Sequence, residues 1–343
     1  MPDSFSRQCP LVSAVIPTRG RPHLLVGAIR SALRQTWSRM EVIVVIDGPD
    51  RETADALDRI IDPRLRTILL PEPCGGSEAR NAGVRVARGD WIAFLDDDDE
   101  WLPEKIERQM HTAHAMPDWF PVVSCRLIAQ SPTTSRVLPL KPYQAPQPVA
   151  EFLFCRSSLR GPGGVMQTST LLAPRDLLLA VPFQSGLPLH QDWDWLIRVT
   201  SHQGVGLFML PQPLTLWRVE DTRSTVGRDP SWQRSLSWIR SIRPLVSPRV
   251  FSWFVAVQCA WRVQCSHAGP RARLTLLRAF LFEGNPGLRS FLSFLIFAFV
   301  PMRLRQSLRK GIHGDRTQKD AGPGLRLVSS RRPVVPVLRK SSF

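Results

Sequence analysis

Over its first hundred residues the chain alternates short apolar runs with amphipathic ones, and the apolar runs end on polar or acidic residues. LVSAVIPT (11–18) reads as a buried strand running into a loop. PHLLVGAIRSALRQT (22–36) carries Leu25, Ile29, Ala32 and Leu33 at a helical period, with Pro22 placed as a helix start. EVIVVIDGPD (41–50) is a β-branched run closing in a turn, ETADALDRII is helical, and LRTILL (65–70) is a strand. GGSEARNAGVRVARG (75–89) is a glycine-rich loop entering a helix, and WIAFLDD (91–97) is another strand. This alternation predicts an α/β fold with a mostly parallel sheet flanked by helices. In open α/β sheets ligands gather outside the C-terminal ends of the strands. Thr18-Arg19, Asp47-Gly48 and Asp96 to Asp99 would share that edge, which outlines a nucleotide pocket.

The rest of the chain is less regular. Residues 121–165 are rich in Pro and read as one further strand and a long loop. GPGGVMQTSTLLAPRDLLLA (161–180) reads as a loop, a strand over VMQTSTLLA and a helix, and HQDWDWLIRVTSHQG (190–204) opens a helix. From about Pro230, Trp, Arg and apolar residues interleave at helical periods. Beyond Gly311, Gly, Pro, Ser and Arg dominate, which predicts a disordered basic tail. The expected organisation is a catalytic domain over 1–225, an amphipathic helical region over 226–310 and the tail over 311–343.

Charge and cysteine usage narrow the class. The formal net charge is +16, yet residues 301–343 hold 11 Lys and Arg against 2 Asp, a net of +9. The body is therefore only mildly basic. The six cysteines form no C-x-x-C pair and no zinc-like spacing, as expected of reduced intracellular thiols. The segment MPDSFSRQCPLVSAVIP has no long apolar core after a basic start, so no signal peptide is expected. No apolar run reaches the roughly 20 residues of a spanning helix.

Asp96, Asp97, Asp98, Asp99 and Glu100 stand in a row where a strand should end. Mg²⁺ or Mn²⁺ takes oxygen ligands, commonly one or two carboxylates plus substrate phosphates. In an extended stretch residues i and i+2 share a side, so Asp96 and Asp98 could converge on one ion. A solvated acidic turn fits the same residues. WIAFLDDDDEWLPEKIERQ, however, resembles the D-x-D segment of family 2 glycosyltransferases, which have the GT-A fold, and it does not stand alone. AVIPTRGRPHLLVGAIRSALRQTW resembles their first strand and helix, EVIVVIDGPD their V-x-D-G-S-x-D turn, and GGSEARNAGVRVARGDWIAFLDDDD their A-R-N-x-G segment leading into D-x-D. The resemblance covers roughly residues 11–220.

The resemblance implies a UDP-, GDP- or dTDP-sugar donor, Mg²⁺ or Mn²⁺ on its diphosphate, and single displacement with inversion at the anomeric carbon. Carried over by position, Asp98 is a direct metal ligand. Asp96 approaches the metal or the donor sugar, and Asp97 the ribose or sugar hydroxyls. Asp47 lies near the nucleobase and ribose, Thr18 and Arg19 sit at the end of the first strand, and Arg80 and Asn81 line the donor pocket. Ile46 and Pro49 depart from the family pattern, which leaves the base that is read open. HQDWDWLIR (190–198) resembles the second acidic motif, commonly E-D-x-D-L-x-x-R, with Gln191 in place of Glu. It makes Asp192 the catalytic base that takes the proton of the acceptor hydroxyl. Helical spacing agrees: Asp194 and Arg198 are an i,i+4 ion pair, whereas Asp192 has Trp195 and Leu196 at i+3 and i+4. Without the resemblance, Asp192 reads more simply as an acid at a helix N-terminus. His190 is a weaker candidate base, since a lone His near a helix start is more often structural. GPGG (161–164) and Gln167-Thr168-Ser169 fall where acceptor and donor sugar would be lined, with glycines permitting close backbone approach. The Q-x-x-R-W motif of processive synthases is absent around Trp217-Arg218.

The stretch from 231 to 310 has two readings. Basic amphipathic helices bearing Trp and Phe can lie in a membrane interface and attract anionic lipid, or their apolar faces can pack on the catalytic domain. The acceptor expected is a saccharide or lipid-linked glycan of the cell envelope. The compartment expected is the cytoplasm, with peripheral docking on the inner face of the membrane as the first of those readings. A non-catalytic basic membrane- or nucleic-acid-binding protein with a degenerate α/β domain is the alternative. Nucleic acid is not the expected partner, because acidic residues crowd the best pocket. A nucleotidyltransferase would carry a glycine-rich basic loop after the first strand, where this chain has IPTRGRPHLL.

Overall fold

The alternation is realised strand by strand in the computed structural model, which describes residues 9–116, 120–156, 163–219, 229–301 and 304. β1 (Val12–Thr18), α1 (Pro22–Leu33), β2 (Met40–Ile46), α2 (Arg51–Leu57), β3 (Leu65–Leu69), α3 (Gly76–Val86) and β4 (Trp91–Phe94) follow in order. Then come β5 (Asp99–Trp101), α4 (Lys105–His114), β6 (Phe120–Gln130), β7 (Ser135–Leu138), α5 (Val149–Phe154), β8 (Leu172–Pro174), α6 (Arg175–Ala180), α7 (Gln191–Val199) and β9 (Val205–Arg218). The described strands form one sheet in the order β3-β2-β1-β4-β8-β6-β9-β5, with β7 on β6. β3, β2, β1 and β4 are mutually parallel, and β8 joins them antiparallel. The fold is the expected mostly parallel α/β sheet flanked by helices.

The period of two in the strands divides the core. Val15, Ile43, Val45, Ile92 and Phe94 face one side, with α3 and α7. Val12, Ala14, Ile16, Val42, Val44, Ala93 and Leu95 face the other, with α1 and α4. β2 is therefore apolar almost throughout, as a strand covered on both faces must be. Gly83 lets α3 settle on β1: a Cβ there would stand 2.4 Å from Val15 Cγ1.

Three local expectations change. Residues 121–165, expected as one strand and a long loop, include β6, β7 and α5. VMQTSTLLA is not one strand. Thr168–Thr170 is a 3₁₀ turn, and only Leu172–Pro174 is extended; Thr170 Oγ1 donates back to Gln167 O at 2.7 Å, and Ser169 Oγ to Asp99. The strand expected over 91–97 ends at Phe94, and Asp99–Trp101 begins a separate strand paired with β9.

α8 (Trp232–Ser241), α9 (Pro248–Phe254), a π-helical turn (Val255–Cys259), α10 (Ala260–Cys265), α11 (Pro270–Arg278), a second π turn (Ala279–Glu283) and α12 (Leu288–Phe299) complete the described chain. Much of their apolar surface joins the core on the α7 side. Trp238 and Phe254 pack with Phe154, Trp193 and His190, and Trp238 Nε1 donates to Asp194 at 3.0 Å. No helix among the described residues is long and apolar enough to cross a membrane. The tail expected over 311–343 lies outside the described residues.

Candidate active site

Parallel register brings the polar strand ends level. Val15 pairs with Phe94, so Thr18 and Asp97, each three residues further on, arrive at the same height. Thr18 Oγ1 donates to Asp97 Oδ2 at 2.7 Å. Thr18 also pairs with Ile46, which sets Asp47 one step beyond it. Asp47 is buried and accepts from the N–H groups of Cys74 at 2.7 Å and Gly75 at 3.0 Å. It thereby fixes the loop entering α3.

The acidic string is divided among different partners. Arg21 caps α1 just ahead of Pro22 and reaches back over the strand ends. Its guanidinium lies 2.8 Å from Asp97 Oδ1 and 3.1 Å from Asp98 Oδ2. Asp96 is held by Arg80 Nη2 at 2.5 Å. Asp99 turns inward and accepts from Ser169 Oγ at 2.6 Å and Gln167 Nε2 at 2.7 Å. Ser169 Oγ in turn accepts the Asp96 N–H at 3.0 Å, so the turn is pinned from behind. Glu100 pairs with Arg218 across β5 and β9. Burial pushes the Asp97 carboxyl up to about 6 against the pull of Arg21 and Thr18, with Asp98 and Asp96 pushing the same way. Burial, with Asp96 and Asp98 close by, also holds Asp99 well above the usual carboxylate range.

One side chain joins this turn to α7. Arg80 Nη1 donates to Gln191 Oε1 at 2.9 Å while Nη2 holds Asp96. Gln191 and Asp192 open α7, whose N-cap His190 is left-handed at φ 62°. Asp192 is half-buried, its Oδ1 accepting the Trp193 N–H at 2.9 Å. Burial raises its carboxyl to about 6, opposed by that N–H and by Arg80 and reinforced by Asp96. The expected Asp194–Arg198 pair forms at 2.7 Å. His190 is buried in an aromatic box, stacked on Trp193 with Nε2 at 3.0 Å from Ser235 Oγ. Burial keeps its ring well below the usual imidazole range.

The sequence-predicted site residues have these places. Asp96 is paired with Arg80 and Asp98 with Arg21. Among the described residues no three His, Cys, Asp or Glu side chains gather as a ready cation cage. Arg19 is exposed, and the cations on the acidic turn are Arg21 and Arg80. Asn81 is a buried clamp: its amide donates to Phe183 O at 2.8 Å and accepts Phe183 N at 3.0 Å. Asn81→Ala should leave both groups buried without partners and lower unfolding free energy by about 2–4 kcal/mol, read from urea denaturation. Of the GPGG stretch, Gly163 and Gly164 serve packing on α5, since a Cβ would meet Leu153 O at 2.7 Å and Phe152 O at 2.4 Å. Gly161 and Pro162 lie outside the described residues. Arg21 is the residue sequence reasoning passed over; Gln167 and Ser169, expected to line the sugars, hold Asp99. The N-cap position before Pro22 was the one signal available for Arg21.

Residues 13–147 match the model of the family "Glycosyl transferase family 2". The chain carries a family 2 glycosyltransferase domain. The glycosyltransferase is 26% identical over 296 residues to the amylovoran biosynthesis glycosyltransferase AmsB of Erwinia amylovora, covering 83% of this chain and 95% of that one. Over 101 residues it is 36% identical to WfaP of Escherichia coli, a UDP-Glc:alpha-D-GlcNAc-diphosphoundecaprenol beta-1,3-glucosyltransferase, covering 29% of this chain and 40% of that one. Among solved structures it is similar to the mannosyltransferase PcManGT of Pyrobaculum calidifontis, determined with GDP-Man and Mn²⁺. The TM-score is 0.53 at 15% identity, over 88% of this chain and 81% of that one, a likeness of fold. The fold of the glycosyltransferase is thus GT-A-like.

Proposed function

We propose that the protein moves a hexosyl group from a nucleotide-sugar donor to an acceptor hydroxyl, with inversion, in the building of a cell-envelope glycan. The observation that carries this reading is the Arg80 bridge. Through it the acidic turn and the head of α7 become one hydrogen-bonded unit, with Asp192 beside both Arg80 and Asp96. Asp192 takes the acceptor hydroxyl proton as that oxygen bonds to the anomeric carbon. The bond from the anomeric carbon to the diphosphate breaks with its electron pair, and the nucleoside diphosphate leaves. A carboxyl near 6 is ionised at neutral pH yet basic enough to accept that proton. Thr18 and Asp97 present oxygens toward the donor ribose or sugar, and Arg80 orients Asp96 against the sugar. Asp47 and the loop it fixes border the nucleobase and ribose, Asn81 holds α3 in place under Arg80, and Arg19 stands at the rim.

The donor set suits a hard divalent cation. Asp98 and Asp96 are carboxylates with side chains 17% and 31% exposed, and two carboxylates with substrate phosphates make a Mg²⁺ or Mn²⁺ site. When bound there, the ion would neutralise charge on the leaving diphosphate. The Mn²⁺ of PcManGT supports this reading at the level of fold. The specificity of WfaP for UDP-Glc and a diphosphoundecaprenol-linked sugar supports a UDP- or related nucleotide sugar and a lipid-linked acceptor here; the protein would meet such an acceptor from the cytoplasm, at the inner face of the membrane.

Calorimetric titration with a panel of nucleoside diphosphates, in Mn²⁺ and then in EDTA, tests the site. Tight binding of one nucleotide in Mn²⁺ alone is expected. Failure of every nucleotide under both conditions would leave the acidic string as a structural turn.

A further inference from the structure

α12 presents its apolar residues to the outside. Ser290, Ser293, Phe294 and Ala298 are its buried side. Leu288, Phe291, Leu292, Leu295 and Phe299, at i, i+3, i+4, i+7 and i+11, form one outward stripe between 38% and 75% exposed. The helix before it adds to this surface. Phe280 stacks on Phe294 at 4.9 Å, and Arg273 Nε donates to Ala298 O at 3.1 Å, so the α11 hairpin lies against α12. That hairpin exposes Leu274, Leu281 and Phe282, the last at 82%. An outward apolar surface of this kind marks an interaction site.

The charge around the stripe selects its partner. Residues 270–301 hold Arg271, Arg273, Arg278 and Arg289 against the single acid Glu283, and Glu283 is paired with Arg240. The chain that follows, 301–343, is strongly basic in sequence, with a net of +9. A second copy docking by the same face would bring two positive rims together. The basic tail folding back would meet like charge. An anionic lipid surface satisfies both the apolar stripe and the positive rim.

We propose that the outward face of α12, with the adjoining α11 hairpin, docks on an anionic bilayer, Leu288, Phe291, Leu292, Leu295 and Phe299 entering the headgroup boundary. This extends the reading of a lipid-linked acceptor but is carried by residues outside the candidate active site, so the two can fail separately.

The test is co-flotation of the full chain with vesicles of phosphatidylglycerol and phosphatidylcholine, or of phosphatidylcholine alone. Binding to the anionic vesicles at about 0.1 M salt is expected, with loss of about tenfold or more on neutral vesicles and at about 1 M salt. Leu288→Glu should lower partitioning by about tenfold. An acid in the first turn favours the helix, so misfolding would not explain the loss. The paired change Phe291→Ser and Leu295→Ser should do the same. Nucleoside diphosphate binding, measured on the same preparations, should stay at the wild-type value. Three results would overturn the proposal: no flotation of the wild-type chain with anionic vesicles, variants that float as well as it does, or a solution dimer that Leu288→Glu dissociates.

Discussion

Asp192→Asn is expected to lower kcat by about 10²–10⁴-fold, the range a positioned general base supplies, while nucleoside diphosphate affinity stays unchanged. The asparagine keeps the shape at the head of α7 and can still meet the Trp193 N–H through its carbonyl, but it cannot take a proton. In the unmodified enzyme kcat/KM should fall as pH drops below about 6, because the base must be ionised and burial has raised its carboxyl to that value. The same shift has a consequence for stability. The folded carboxyl, near 6, lies above the ordinary aspartate value of 3.8. Between those values the folded state holds more protons than the unfolded one, so this group's contribution to stability declines as pH rises through the window. Above about 6 the penalty is complete. Asp192→Asn removes it, so the variant should gain stability relative to the parent as pH rises through that window and keep the gain above it. Paired thermal unfolding curves across pH read this directly. Wild-type turnover in the variant would reduce Asp192 to an acid at a helix N-terminus.

Asp98→Asn is expected to cost turnover on the order of 10³-fold, since Lewis-acid stabilisation of a leaving group is worth several kcal/mol. It should also bring nucleoside diphosphate affinity in Mn²⁺ down to the value in EDTA. The fold should survive, because Arg21 keeps its contact with Asp97 and the turn stays pinned by Ser169 and Asp99. Calorimetry separates these effects from a loss of folding. Metal-dependent binding that persisted in Asp98→Asn would transfer the ligand role to Asp96.

The two variants probe the ends of one arrangement. Arg80 connects them, and its fork geometry explains why a lysine would not replace it: a single ammonium cannot hold Asp96 and Gln191 along two fixed directions. Gln191, where the family resemblance leads one to expect Glu, is neutral. Arg80 therefore faces one formal negative charge at this bridge, on Asp96, and spends its second arm on an amide.

The strand–helix alternation, the parallel sheet and the shared edge of Thr18, Asp47 and Asp96 to Asp98 were legible in the sequence. Each rests on local periodicity and on the rule that parallel strands end on one side. The pairing of Asp194 with Arg198 was legible for the same reason, since four residues make one helical turn. What the acidic residues do with their charge was decided only in three dimensions. Five acids in a row read as one cluster. In the fold the chain turns after Leu95, Asp96 meets an arginine 16 residues back, Asp98 one 77 residues back, and Asp99 enters the core to meet Ser169 and Gln167. Such partners sit far along the chain, within α3, at the head of α1 and in the 3₁₀ turn, and local periodicity does not say which of them will meet. The helices after Trp232 show the same division. Their amphipathic pattern announced an apolar face without saying what would cover it. Tertiary packing buried Trp238, Phe251 and Phe254 against the α7 side of the sheet and, among the described residues, left the stripe of α12 outside, because only one side of that helix meets the core.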